Sequence, residues 1–144
     1  MNTTPAQTKP IRILLAEDNP ADAELARFAL EEVGVEHVLQ IVDDGEEALM
    51  YLNAYGKFKD AQLPELILLD LNMPKVSGKE VLKEIKSNEN YRNIPVVILT
   101  SSEAKVDIKD AYRLEADYYI TKPVSAEKIR AAFGSDSSSE WFLS

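Results

Sequence analysis

Two short, almost uninterrupted apolar runs, LILLD at Leu66–Asp70 and VVILT at Val96–Thr100, constrain the fold of this chain more than any other feature. Strands that are apolar on both faces belong to parallel sheets covered by helices, whereas half-exposed strands alternate apolar and polar residues. Each run precedes a longer segment with the apolar spacing of a helix. The sequence therefore predicts an α/β protein with a parallel sheet.

Five strands and five helices are predicted to alternate along the chain. The predicted strands cover Ile11–Ala16, Val38–Val42, Leu66–Asp70, Pro95–Leu99 and Tyr118–Thr121. The apolar markers of the five helices are, in chain order, Ala21, Leu25, Phe28 and Ala29; Ala48, Leu49, Leu52 and Tyr55; Val81, Leu82 and Ile85; Ile108, Ala111 and Tyr112 within 104–114; and Ile129, Ala132 and Phe133. Right-handed crossovers then give a doubly wound five-stranded parallel sheet, the flavodoxin-like (βα)5 fold.

The length of 144 residues suits one domain, and the absence of Cys excludes disulfides and Cys-ligated zinc. We expect a disordered segment over 1–10, a folded domain over 11–133 and a tail over 134–144. The tail begins with Gly and Ser residues and ends in Trp141-Phe142-Leu143. This apolar end is expected either to pack on the domain or to contact a partner.

The net charge of −9 argues against binding to nucleic acid, because an acidic surface repels the phosphate backbone. No apolar run approaches the roughly 20 residues that span a bilayer, and the first ten residues lack the apolar centre of a secretory signal. We therefore expect a cytoplasmic protein that contacts neither nucleic acid nor membrane.

Charged and polar residues follow four of the predicted strands. The first strand leads into Glu17 and Asp18, the third ends in Asp70, the fourth leads to Thr100 and the fifth to Lys122. The carboxyl ends of parallel strands share one edge of the sheet, where open α/β folds bind ligands. We expect these three carboxylates, one hydroxyl and one ammonium to meet in one cleft.

Three carboxylates in one cleft repel each other, and a hard divalent cation relieves the repulsion. Mg²⁺ prefers one or two carboxylates together with water and phosphate oxygens. The predicted ligands are therefore Glu17, Asp18, Asp70 and the backbone carbonyl of Asn72. We expect Mg²⁺ at this site, with Mn²⁺ or Ca²⁺ able to substitute.

A carboxylate beside such a cation can attack phosphorus and form an aspartyl phosphate. Asp70 is the predicted nucleophile, because the third strand is central in this topology. Lys122 and the Thr100 hydroxyl are then expected to neutralise oxygens of the transferred group. Taken singly, each residue has an ordinary structural role, and His37 is interpreted as a solvated loop histidine.

The motifs ILLAEDNP, LILLDLNMPKVSG, VVILTSS and YYITKP resemble those of the response-regulator receiver family, from about Ile11 to Phe133. The segments EDNPAD, DDGEEALMYL and YGKFKDAQLPE are similar more narrowly to single-domain regulators paired with bacterial phytochrome-type histidine kinases. A phosphatase of the haloacid dehalogenase type and a flavodoxin-type electron carrier are alternatives, and so is a pseudo-receiver that acts only by surface binding, although it normally lacks some of the site residues that this chain keeps. The first usually has an acid where Asn72 stands, and the second a Gly-rich loop where EDNP stands.

The resemblance implies a role for each matching position. Asp70 would be the phosphoacceptor, Lys122 the phosphate-binding lysine before a cis proline bond, and Glu17, Asp18 and the Asn72 carbonyl the metal ligands. Thr100 and Tyr119 would form the coupled switch pair, and Asn72 and Ser102 would tune dephosphorylation.

The resemblance also implies a phosphoacceptor switch rather than an enzyme, apart from magnesium-dependent phosphorylation and dephosphorylation of its own Asp70. The expected partners are a histidine kinase, of phytochrome type, and a downstream partner that the sequence does not identify. Output would pass through the face formed by the fourth helix, fifth strand and fifth helix. A homodimer through that face and the tail is a further expectation, which the interruption of the fifth helix at Gly134 puts in doubt.

Overall fold

The computed structural model describes residues 10–71, 73, 75–100 and 116–134 and contains five parallel strands in one sheet. The strands are β1 (Ile11–Ala16), β2 (His37–Val42), β3 (Leu66–Asp70), β4 (Val96–Thr100) and β5 (Tyr118–Thr121). Their spatial order is β2-β1-β3-β4-β5, so β3 is central and the predicted doubly wound sheet is confirmed.

Two strands differ from the prediction by one residue at their boundaries. β4 begins at Val96 rather than Pro95 because proline has no N–H to donate to the ladder, and it extends to Thr100. β2 begins at His37, so the interpretation of His37 as a loop residue was wrong. His37 pairs with Ile11 of β1, and its Nδ1 lies 2.7 Å from the Val35 carbonyl oxygen.

Four helices lie within the described residues: α1 (Pro20–Val33), α2 (Gly45–Leu52), α3 (Gly78–Ser87) and α4 (Ala126–Gly134), with a 3₁₀ turn at Gly56–Phe58. α4 is the fifth predicted helix, whereas the fourth, over 104–114, and the tail from residue 135 lie outside the described residues. Tyr55, a predicted marker of the second helix, follows the end of α2 and is exposed. None of the helices in the described ranges is long and apolar enough to cross a membrane.

The buried face of α1 differs from the predicted one. Ala29 is buried as expected, but Leu25 and Phe28 are 43% and 54% exposed. The face against the sheet instead carries mostly small residues: Ala23, Ala26, Ala29 and Leu30. Alanine allows the helix axis to approach the sheet closely, and the three-four spacing alone does not distinguish two overlapping apolar stripes.

The core consists of two layers, one on each side of the sheet. β3 and β4 are buried throughout, as expected for strands covered on both faces. One layer packs the sheet against α2 and α3, and the other packs it against α1 and α4. This arrangement leaves the carboxyl ends of β1, β3, β4 and β5 along one edge.

Candidate functional site

Three carboxylates meet at the carboxyl edge of the sheet. Glu17 and Asp18 directly follow β1, and Asp70 is the last residue of β3. Each offers a carboxylate oxygen, and these oxygens all lie within 4.8 Å of one another. Glu17 and Asp70 are buried, whereas Asp18 is exposed, so the cluster opens to solvent on one side.

Lys122, directly after β5, places its ammonium between the two buried carboxylates. Its Nζ lies 2.8 Å from Glu17 Oε1 and 3.1 Å from Asp70 Oδ2. The backbone N–H of Lys122 donates to the Thr100 carbonyl oxygen at 2.7 Å, which fixes the start of this loop against β4. The Lys122–Pro123 bond is cis, as the resemblance implied.

The electrostatics of the cluster follow from its burial and from the excess of carboxylates over ammonium groups. Burial raises the pKa of Glu17 to about 7, against a smaller lowering by its hydrogen bond with Lys122, and the Asp70 carboxylate adds to the rise. Burial by itself would lower the pKa of Lys122, but the carboxylates of Glu17 and Asp70 outweigh it and raise that pKa. One ammonium does not balance three carboxylates, so the cluster favours either a proton or a second cation.

The donor set fits a hard divalent cation. Among the described residues it consists of carboxylate oxygens, which suit Mg²⁺, Mn²⁺ or Ca²⁺ better than the metals that favour imidazole or thiolate. The exposed side of Asp18 leaves room for the water molecules that such ions retain. The cluster is therefore of the kind that holds a divalent metal.

Thr100 and Tyr119, the predicted switch pair, lie on neighbouring strands. Thr100 ends β4 and is 1% exposed, next to Thr121 in the register with β5. Tyr119 of β5 is partly buried, packs against the core layer of α2 and α3, and has a buried hydroxyl oxygen. Asn72 and Ser102 lie outside the described residues.

The α3 side of the site depends on a glycine that the sequence interpretation passed over. A Cβ at Gly78 would lie 2.2 Å from the backbone carbonyl oxygen of Asp70. The Gly78 N–H donates to the Leu71 carbonyl oxygen at 3.0 Å, and Ser77 and Glu80 form a capping box at the start of α3. Only glycine allows α3 to begin this close to Asp70, where its first N–H bonds to the backbone directly after the carboxylate.

Asp22 is a second residue that sequence interpretation missed. It lies in the first turn of α1, and its Oδ2 is 3.4 Å from Lys122 Nζ. The segment EDNPAD contained it, but only as part of a family resemblance. The available signal was the position of Asp22 four residues after Asp18, on a helix that starts at this edge of the sheet.

Comparisons with known proteins agree with this geometry. The family model of the response regulator receiver domain matches residues 13–134. Response regulator Rcp1 of Synechocystis sp. is 43% identical over 113 residues, which cover 78% of this chain and 77% of Rcp1. The solved structure of Mn²⁺-bound Rcp1 superposes with a TM-score of 0.74 over 78% of this chain and 81% of that chain.

Two further solved structures are similar over most of their length. The bacteriophytochrome response regulator RtBRR has a TM-score of 0.80 at 41% identity, over 88% of this chain and 77% of that chain. The phosphorylated cyanobacterial phytochrome response regulator RcpA has a TM-score of 0.76 at 43% identity, over 94% and 96%. The protein therefore belongs to the response regulator receiver domain family and is a response regulator of a two-component system.

Proposed function

We propose that this chain accepts a phosphoryl group on Asp70 from the phosphohistidine of a histidine kinase. The observation that carries the proposal is the contact of Lys122 Nζ with Asp70 Oδ2 at 3.1 Å, beside two further carboxylates. A nucleophilic carboxylate, a fixed cation and a set of metal ligands are the parts that phosphoryl transfer requires.

Glu17, Asp18 and Asp70 would hold Mg²⁺, together with the backbone carbonyl of Asn72. The cluster of carboxylate oxygens supports this assignment, and so does the pKa of about 7 for Glu17, because a cation would offset the burial and the Asp70 charge that raise this pKa. When bound, Mg²⁺ neutralises carboxylate charge and one oxygen of the transferred group.

The protein's own residues perform the transfer. A carboxylate oxygen of Asp70 forms a bond to phosphorus while the bond from phosphorus to the donor imidazole nitrogen breaks, and the electron pair leaves with the imidazole. The Lys122 ammonium neutralises a second oxygen of the phosphoryl group, and the Thr100 hydroxyl donates to a third. Later attack by water on phosphorus releases phosphate and restores Asp70, so the chain is a switch that reacts once per signal.

Thr100 and Tyr119 would report the phosphoryl group to the surface. Thr100 moves toward the new anion, and the space that it leaves favours the inward position of the Tyr119 ring. Phosphate biases two existing conformations only by binding one of them better, and a change from 1:99 to 99:1 requires about 5.5 kcal/mol. The surface that changes includes β5 and α4.

The proposed donor is a phytochrome-type histidine kinase. The similarity to Rcp1, to the bacteriophytochrome regulator RtBRR and to the phytochrome regulator RcpA over most of each chain supports this partner. A downstream protein, or a second copy of the chain through the face that includes β5 and α4, would receive the signal.

Intact-mass measurement after treatment with acetyl phosphate and Mg²⁺ tests the proposal. The wild-type chain should gain one phosphoryl group that alkali removes, and Asp70→Asn should gain none, because the amide is not nucleophilic. Asp60→Asn, which changes an exposed aspartate between the 3₁₀ turn and the amino end of β3, is the matched control and should react like wild type. Undiminished uptake by Asp70→Asn would move the acceptor to another residue.

A further inference from the structure

We infer that Asp22 makes this receiver select phosphodonors by charge, by adding a carboxylate at the rim of the site and drawing Lys122 toward it. The inference rests on the proposed phosphorylation of Asp70 and concerns which donors reach it. It assigns to the first turn of α1 a role in the reaction, in addition to its structural role at a helix start.

Asp22 differs in position from the other two carboxylates that contact Lys122. The Asp22 side chain is 32% exposed, whereas those of Glu17 and Asp70 are 1% and 5% exposed. Its Oδ2 lies 3.4 Å from Nζ, slightly farther than the buried pair. Asp22 is therefore the most exposed of the three carboxylates that contact the ammonium.

The charge of Asp22 is not used by the metal cluster, which consists of Glu17, Asp18 and Asp70 among the described residues. A divalent cation and Lys122 together supply three positive charges, one fewer than the four carboxylates around them. Asp22 thus leaves the loaded site with a negative charge at its entrance. It also competes with the incoming phosphoryl oxygens for the ammonium.

Both effects slow a small anionic donor, and the slowing grows with the charge of the donor. Acetyl phosphate is a dianion at neutral pH, and it transfers phosphorus to Asp70 as its bond to the acetyl oxygen breaks and acetate leaves with the electron pair. Phosphoramidate carries a single net negative charge, and its phosphorus–nitrogen bond breaks as ammonia leaves. A phosphohistidine is brought to the site by contacts of a whole protein, so the rim charge weighs less against it.

The test compares initial phosphorylation rates of wild type and Asp22→Asn with the two small donors in saturating Mg²⁺. Removal of one unit charge in water-like surroundings changes the binding constant of a donor by about threefold for each negative charge that the donor carries. Asp22→Asn should therefore react about threefold faster with phosphoramidate and about ninefold faster with acetyl phosphate. The gain should appear mainly in the donor concentration for half-maximal rate and should shrink between about 0.05 and about 0.5 M salt.

Two control variants separate this effect from altered structure or overall charge. Asp22→Glu keeps the charge and should retain the wild-type preference between donors. Glu36→Gln removes one charge from the exposed loop before β2, at the opposite edge of the sheet, and should react like wild type with both donors. Far-UV circular dichroism checks that all variants are folded.

Equal acceleration of both donors, or slower reaction of Asp22→Asn, would overturn the inference. The second result would mean that Asp22 holds Lys122 in its productive position. If wild type takes up phosphate on Asp70 and the two donors respond equally to the substitution, charge selection fails while the proposed function stands. If wild type takes up no phosphate from either donor, both fail.

Discussion

The two edges of the sheet each carry a basic side chain in an ion pair, but in opposite surroundings: Lys122 is paired with buried carboxylates and Arg12 with one exposed carboxylate. At the carboxyl edge, Lys122 lies 2.8 Å from Glu17 and 3.1 Å from Asp70, and both carboxylates are buried. At the amino edge, Arg12 Nη2 lies 4.0 Å from Glu65 Oε1, and the two side chains are 37% and 49% exposed.

Solvent access decides what each pair of opposite charges does. Water screens the Arg12–Glu65 pair, so it adds little stability and has little influence on its surroundings. At the carboxyl edge, burial strengthens attraction and repulsion alike, shifts the pKa of Glu17 to about 7 and creates a need for further positive charge. A reactive site arises where a fold holds ionisable groups out of water without balancing their charge.

The largest expected effect on stability is that of Lys122→Met in metal-free buffer. The substitution keeps an unbranched apolar stem but leaves the carboxylates of Glu17 and Asp70 buried without their cation. We expect the free energy of unfolding to fall by about 3 kcal/mol, at the low end for a broken buried ion pair because Glu17 can take up a proton. Urea denaturation measures the change.

Arg12→Met is the matched control at the amino edge. Because the Arg12–Glu65 pair is exposed, we expect a loss of less than about 1 kcal/mol. Similar losses in the two variants would show that burial does not distinguish the ion pairs at the two edges.

The next largest effect is a pH dependence caused by Glu17. The pKa of Glu17 is about 7 in the folded, metal-free chain and near its ordinary 4.5 in the unfolded chain, so between these values the folded chain binds the extra proton. Stability must therefore fall as pH rises, by about 2 kcal/mol between about pH 5 and about pH 7. Thermal or urea denaturation across this range measures the decline.

Glu17→Gln isolates this contribution, because the amide does not titrate. In chelator, the free energy of unfolding of wild type, relative to that of Glu17→Gln, should fall with rising pH. In saturating Mg²⁺ it should not fall, because a bound cation requires the carboxylate form of Glu17. The same pH dependence in both chains would assign the decline to another group.

Most of the fold could be predicted from the sequence, because burial on both faces leaves an unmistakable apolar pattern in β3 and β4. The face of α1 that packs against the sheet could not be predicted. Leu25 and Phe28 satisfied the helical spacing, yet small alanines face the sheet, and the Arg27 guanidinium lies 4.7 Å from the Phe28 ring centroid at the surface. Periodicity reports that a helix is amphipathic, whereas the distance between helix and sheet decides which apolar stripe fits.

The convergence of Glu17, Asp18, Asp70 and Lys122 could be predicted because parallel strands place their carboxyl ends at one edge. Asp22 and Gly78 were missed for different reasons. Asp22 reaches the site from the first turn of α1, and the topology of the strands does not predict which helix residues lie at the site. Gly78 contributes by having no side chain, and only the approach of α3 to the Asp70 carbonyl reveals that need.

The smallest expected effect concerns Glu65→Gln at the amino edge. The Arg12 backbone N–H donates to Glu65 Oε1 at 3.1 Å, a hydrogen bond that an amide oxygen can also accept, so the substitution removes only the ionic attraction. We expect a loss of less than about 0.5 kcal/mol in low salt, and no difference from wild type in high salt, where the exposed pair is screened. Urea denaturation at two salt concentrations makes the measurement. A loss above 1 kcal/mol that persists in high salt would mean that Glu65 is bound more tightly than its exposure indicates, and the amino edge would no longer serve as the solvated counterpart of the carboxyl edge.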